Sequence, residues 1–446
     1  MSNTTQTASL SRQLYTMTWP MLFGVLSLMT FQLADSAFIG QLGRDPLAAL
    51  GFTLPMHQLI IGLQVGLGIA TTAIISRTLG TGDELRAYRL GGLVITVGSM
   101  LVFLLCASLW LLQNPIMTAL GADDTLLPLI RSYWVPWLLS AWFGACIYFG
   151  YSICRSHGDT KLPGYMMVAT SLTNIALDPL YIFVFDWGLP GAAWATVTSF
   201  AIGCLFIYPK LLRRGWARFD LRELALGRAL KQLNSIMAPA MVSQLMPPAS
   251  SMLATTMVAG FGSAAVAAWG LGTRLEFFSI VVVLALTMSL PPMIGRMLGA
   301  GDIEQIRKLV RLAVRFVVFW QLAIGLLWLV ASGLVAELFT SDHEVQEILG
   351  GYLLRVPLSY SGLGVCMLMV SVCNALGLAM RALLVATLRL FLCFLPLLWL
   401  GSQFGGLYGL MSGALAGNLF AGAMAYSFYR TGMKQLRTGA GSSVKT

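Results

Sequence analysis

Residues 77–83 read RTLGTGD and residues 296–302 read RMLGAGD, the same motif 219 positions further on. The offset holds without a gap at Pro20 and Pro239, and at Ala48-Ala49-x-Gly51 and Ala267-Ala268-x-Gly270. Val168-Ala169-Thr170 pairs with Val385-Ala386-Thr387 after a small shift. Self-similarity at a fixed offset marks a repeated architecture, so the chain reads as two similar halves. Each copy of the motif follows a long apolar run, and such runs recur from Thr16 to Tyr429.

Of the 446 residues 57% are hydrophobic and only 10% charged, against about 25% charged in soluble domains. The apolar runs are long enough to cross a hydrocarbon core of about 30 Å. In lipid every backbone group must be satisfied within the segment, so the runs are helices. Twelve spans are predicted, at 16–39, 52–75, 90–112, 130–154, 163–184, 188–210, 236–259, 268–293, 309–332, 347–372, 380–400 and 406–429. The 46 glycines fit closely packed membrane helices. The expected fold is an all-α integral membrane protein of twelve transmembrane helices in two six-helix lobes. The expected division is a lobe at 1–212, a cytoplasmic linker at 213–235, a second lobe at 236–432 and a cytoplasmic tail at 433–446. Six spans per half is an even number, so the repeats run parallel and a central cleft is expected between the lobes.

The formal charge of +10 raises nucleic acid as a partner, but its distribution excludes that. Of the 28 Lys and Arg, 24 fall in alternate connections or the segment ends beside them, leaving Arg44, Arg131, Arg274 and Arg355. The rich connections are 77–89, 155–161, 210–231, 296–315, 381–389 and the tail from Arg430. Connections between them are neutral or acidic, as at Asp123-Asp124 and 337–347. This is the positive-inside pattern, and it puts both termini in the cytoplasm. The N-terminal residues run directly into the first span, so no cleaved leader is expected. The seven cysteines lie in or at the ends of apolar runs without a CxxC pair, and read as packing residues.

Two acids lie inside these runs: Asp35 in LSLMTFQLADSAFIG (26–40) and Asp178 in SLTNIALDPLYIF (171–183). A carboxylate at mid-membrane costs roughly 2.5–3.5 kcal/mol even on a lenient scale, so it is rarely kept without a task. Their repeat counterparts are Ala254 and Leu395, whereas the prolines Pro179 and Pro396 occur in both halves. Shared features read as scaffold and the difference as mechanism. Both acids fall at similar depth in the outer half of their spans. Asn174 is one turn before Asp178 on the same helix face, with Thr170 a turn further in. Thr196 and Tyr133 occupy the outer half of neighbouring spans. Together they predict a polar pocket inside the first lobe. Burial disfavours a charged carboxylate and two nearby acids titrate as a pair, which suits proton exchange. The hard oxygens of Asp35, Asp178 and Asn174 equally suit sodium. Each acid has the alternative of a structural interhelical hydrogen bond. Pro20 and Pro179 each remove a helix hydrogen bond and are candidate hinges. Protonation of Asp35 is expected to bend the first helix there.

Arg274 and Glu276 open the eighth span on different helix faces and read as structural or interfacial. His57, His157 and His343 carry no motif. Methionines and aromatics in this number suit an adaptable cavity for apolar cations, though core or lipid-facing packing explains them as well.

Trp19-Pro20, Asp35 followed by FIGQLG, the GTGD loop at 80–83, and Asn174-x-x-x-Asp178-Pro179 resemble the multidrug and toxic compound extrusion (MATE) family, in particular its DinF branch. The resemblance covers nearly the whole chain. It implies two six-helix lobes, alternating access, and export of lipophilic, often cationic drugs in exchange for protons or sodium. It assigns Asp35, Asn174, Asp178, Thr196 and Tyr133 to a first-lobe cation site. It further implies a bacterial inner membrane, a monomer, and no cofactor beyond an ion gradient. Ala254 departs from branches that carry acids in the second lobe, which argues against sodium chemistry there. The competing readings are a flippase for a lipid-linked saccharide, for which Arg274 and Arg389 are the available charges, and an intramembrane enzyme. The sequence contains no HExxH, GxSxG or GK[ST] motif, and nothing resembles a repeated selectivity ring.

Overall fold

The computed structural model describes residues 2–121 and 125–442, with side chains described over 10–121 and 125–435. Asp123, Asp124, Arg437 and Lys445 lie outside those bounds. The described residues form helices α1 (Ser2–Gln41), α2 (Arg44–Gly80), α3 (Glu84–Leu111), the short α4 (Gln113–Ala119), α5 (Leu127–Ser156), α6 (Lys161–Pro179), α7 (Gly188–Arg213) and α8 (Leu226–Ala259). They continue with α9 (Ser263–Ser279), α10 (Val281–Gly299), α11 (Ile303–Phe339), α12 (His343–Leu353), α13 (Tyr360–Ala375), α14 (Ala379–Leu388) and α15 (Leu395–Ser442). Wider π turns follow α6, at Leu180–Val184, and α14, at Arg389–Phe394. No strand occurs among the described residues.

Ten of these stretches are long and apolar enough to cross a membrane. The last of them, 379–435, is two legs, because Gly405 and Gly406 leave helical geometry and Gly406 has φ 56°. Helix α8 is also long enough, its apolar character diluted by Gln244, Pro247, Pro248, Ser250 and Ser251. The described chain therefore has the twelve crossings expected.

Several helices outrun the expected spans. Helix α2 starts at Arg44 rather than 52 and ends at Gly80, and α11 runs 37 residues where 309–332 was expected. Hydropathy registers the length in lipid, whereas helical hydrogen bonding continues into the polar interface until a cap stops it. RTLGTGD (77–83) and RMLGAGD (296–302) are both such stops. Gly82 and Gly301 take φ 83° and 76°, and the Asp83 and Asp302 side chains then accept from the N–H of Arg86 and Gln305. An aspartate there satisfies one of the first turn's free donors.

Two expected spans are broken. The eighth breaks at Ile280 between α9 and α10. The Ser279 carbonyl at the break accepts from Gln321 Nε2 at 3.1 Å, and Ser279 Oγ accepts from Trp328 Nε1 at 2.8 Å. Irregular backbone at membrane depth needs such internal partners. The tenth breaks between α12 and α13, through a 3₁₀ turn at Val356–Ser359 that contains Pro357, a residue with no N–H to continue the ladder.

The chain divides into two compact units, Leu14–Met241 and Val242–Thr446 together with Met1–Gln13. The basic connection expected as a linker is packed within the first unit. Arg218 N–H donates to Tyr88 O at 2.9 Å, and Arg89 pairs with Glu223. A Cβ on Gly91 would lie 2.3 Å from Trp216 O, and one on Gly92 2.0 Å from Arg218 O, so only glycine admits this backbone. Three of the four arginines outside the basic connections are in or around structural contacts. Arg44 is the first residue of α2, Arg131 donates to Asn114 Oδ1 at 3.0 Å, and Arg355 sits over the Tyr408 ring.

Candidate cation site

Helices α1, α5, α6 and α7 of the first unit carry the predicted residues. Helix α1 runs unbroken through Pro20 and holds α6 at closest approach there: a Cβ on Gly164 would come within 2.4 Å of Pro20 O. A Cβ on Gly24, one turn on, would meet Met167 Sδ at 2.9 Å. Small residues at such crossings let backbones touch in lipid. With α1 and α6 fixed at their beginnings, Asp35 and Asp178 come together near their ends.

Asp178 is fully buried and Asn174 nearly so, at 0% and 1% exposure. Tyr133 on α5 is buried and interacts electrostatically with both Asp35 and Asp178, which also interact with each other. Asp35 is half-buried, and its Oδ1 is buried with no hydrogen-bond partner. The π turn begins two residues after Asp178, with Phe185 N–H donating to Leu180 O at 2.9 Å. Such turns recur at functional sites.

The Asn174 amide ties Asp178 to α7. Its Nδ2 donates to Asp178 Oδ2 at 2.9 Å, while Oδ1 accepts from Thr196 Oγ1 at 3.0 Å and Thr196 N–H at 3.1 Å. The reversed amide would turn its nitrogen on the Thr196 N–H, donor against donor, so the amide takes this orientation. Ser199 Oγ lies 3.5 Å from the amide atom that faces Thr196.

The structure thus brings together Asp35, Asp178, Asn174, Thr196 and Tyr133. Thr170 is buried but bonded back to its own helix, at Met166 O and Met167 O. Ser199 joins the network without having been expected; it stands three residues after Thr196 on the same face of α7. No group of three or more His, Cys, Asp and Glu suited to a metal ion occurs among the described residues. His57 lies half-buried near Trp137, His157 stacks on Trp216 with ring centroids 4.5 Å apart, and His343 opens α12. All seven cysteines are free thiols.

The MatE family pattern matches the chain twice, over residues 20–180 and 239–400. The chain is similar to the FAD transporter of Shewanella oneidensis, 33% identical over 433 residues and covering 94% of each chain. It is also similar to the probable multidrug resistance protein YpnP of Bacillus subtilis, 23% identical over 428 residues, with 94% of this chain and 95% of that one covered. Among solved structures, the Vibrio cholerae MATE transporter VcmN in the bent form superposes with a TM-score of 0.95 at 54% identity, covering 97% of this chain and 99% of that one.

Proposed function

The chain belongs to the MatE family, multi-pass transporters rather than enzymes, and on that premise we propose that it is a proton-coupled antiporter exporting small organic compounds by alternating access. The observation that carries the coupling is the fully buried Asp178 carboxylate, bonded to Asn174 and interacting with Asp35. Asn174 Nδ2 donates to that carboxylate, so a proton arriving on Asp178 changes this bond, and Asn174 passes the change to Thr196 on α7. Asp35, with a buried oxygen that has no partner, is the second carrier, and Tyr133 stands between the acids. Pro20 and Pro179 are the points at which α1 and α6 yield. Sodium is the alternative ion, held by Asp35, Asp178 and the Asn174 oxygen. The positive-inside distribution supports cytoplasmic termini in a bacterial inner membrane, and a single chain contains the whole acid pocket.

Lipophilic, often cationic drugs are the substrates we expect, in line with the multidrug relatives. The flavin relative favours a second reading of the cargo, an anionic flavin nucleotide. Efflux from proteoliposomes under separately imposed proton and sodium gradients tests the coupling. Export driven by protons alone, and abolished in Asp35→Asn, is the expected result. Export driven only by sodium replaces the proton with a metal ion. Normal proton-driven export by Asp35→Asn returns Asp35 to a structural role.

A further inference from the structure

In the second unit a carboxylate, an arginine and two aromatic side chains interact, and two of their buried donors have no partner. Glu276 is on α9, four residues before the break at Ile280. The Tyr352 hydroxyl of α12 donates to Glu276 Oε2 at 3.4 Å, and Tyr360, the first residue of α13, interacts with both. Arg389 opens the π turn after α14 and is close enough to interact electrostatically with Glu276. Yet no ion pair within 4.0 Å joins them among the described residues. The Arg389 Nε is buried with no hydrogen-bond partner. Trp269, two turns before Glu276 on the same helix, packs edge-on against Tyr352 with ring centroids 5.4 Å apart. It is 4% exposed, and its Nε1–H is unpartnered too. Buried donors without acceptors are costly and rare in native proteins. Arg389 Nε, on the residue that interacts with Glu276, and Trp269 Nε1, on the ring that packs against Tyr352, are two such donors, and a group bearing acceptor oxygens would satisfy both.

The contrast with the first unit narrows the occupant. Tyr352 stands 219 positions after Tyr133, the offset of the sequence repeat. The first tyrosine interacts with two acids, which interact with each other; the second interacts with one acid, and that acid interacts with a base. The first set changes charge with each proton. The second is already balanced, and suits a neutral group that both donates and accepts.

We propose that Glu276, Arg389, Tyr352 and Trp269 form a substrate-recognition site for a planar heterocycle edge in which an imide N–H lies beside carbonyl oxygens, as in the pyrimidine ring of a flavin. Glu276 accepts the imide hydrogen, and Arg389 and Trp269 donate to the carbonyls. The apolar side chains packed around Trp269 and Tyr352, among them Leu275 and Phe394, favour a flat aromatic body. The proposal rests on the transporter reading above and deepens its cargo side.

The test is binding of lumiflavin and 3-methyllumiflavin to the purified full-length chain in detergent, read by quenching of flavin fluorescence. Wild type is expected to bind lumiflavin, and methylation of the imide nitrogen to weaken binding about tenfold or more. Glu276→Gln and Arg389→Met lose affinity comparably, and Glu276→Asp recovers part of it. Size-exclusion profiles establish that each variant is folded. Absence of lumiflavin binding, equal binding of the methylated ring, or undiminished binding by Glu276→Gln overturns the proposal. If wild type exports no compound under any gradient, the transporter reading falls instead, and the comparison of the two flavins still decides the site.

Discussion

Asn174 links Asp178 to Thr196, and replacing it removes that link while leaving both carboxylates in place. Asn174→Leu leaves Asp178 buried and unsolvated, and a hydrogen bond to a charged group contributes about 1.5–3 kcal/mol. Proton-driven efflux in proteoliposomes is expected to fall about tenfold or more. Thr196→Val is milder, because the Thr196 N–H still reaches the Asn174 oxygen at 3.1 Å. Its efflux rate is expected to drop a few-fold, about what one neutral hydrogen bond supplies, with Thr196→Ser near wild type. The acids and Asn174 were legible in the sequence because a carboxylate in an apolar run is costly and a four-residue spacing shares a helix face. Ser199 was not, since a serine in a helix of small residues carries no pattern of its own. Glu276 reads from the sequence as structural or interfacial, on a different helix face from Arg274, whereas its contacts come from α12 and the turn after α14, which no local spacing encodes.

Elements are held by features that recur at the repeat offset and by features that do not. Asp83 and Asp302 cap α3 and α11 with the same bond, at 3.1 and 3.0 Å. Asp83→Ala and Asp302→Ala are each expected to cost about 0.5–2 kcal/mol and to lower the thermal midpoint in detergent by similar amounts. At the crossing of α1 and α6, the methyl of Gly164→Ala meets the Pro20 carbonyl rather than a flexible side chain. The two helices must separate, at about 1–3 kcal/mol by the measure of overpacked cores, and the acids at their far ends move with them. Lower thermal stability together with weakened proton-driven export is the expected pair of outcomes. The caps were readable as the GTGD loop. The breaks at Ile280 and after Leu353 were not, because both expected spans are continuously apolar and the bonds from Gln321 and Trp328 that satisfy the first break come from another helix.

At the scale of the whole molecule, the charge distribution makes a prediction independent of any transport assay. In a chain with its seven native cysteines replaced, Ser341→Cys, in the connection before α12, is expected to react with a membrane-impermeant maleimide added to intact cells. Thr81→Cys, in the first GTGD loop, is expected to react only after permeabilisation. Labelling in the reverse order contradicts the assigned orientation. Twelve crossings and two similar halves were evident from hydropathy and the 219-residue offset. The fate of the basic connection after α7 was not, since its charge reads as solvated while its backbone lies against Gly91 and Gly92. That docking has a practical consequence for reconstituting one half by itself. A gene cut where the first MatE match ends, at residue 180, loses α7 and the docked segment; a cut at 212 still strips the cover from α3. The shortest first half to express as a separate polypeptide runs to Met241.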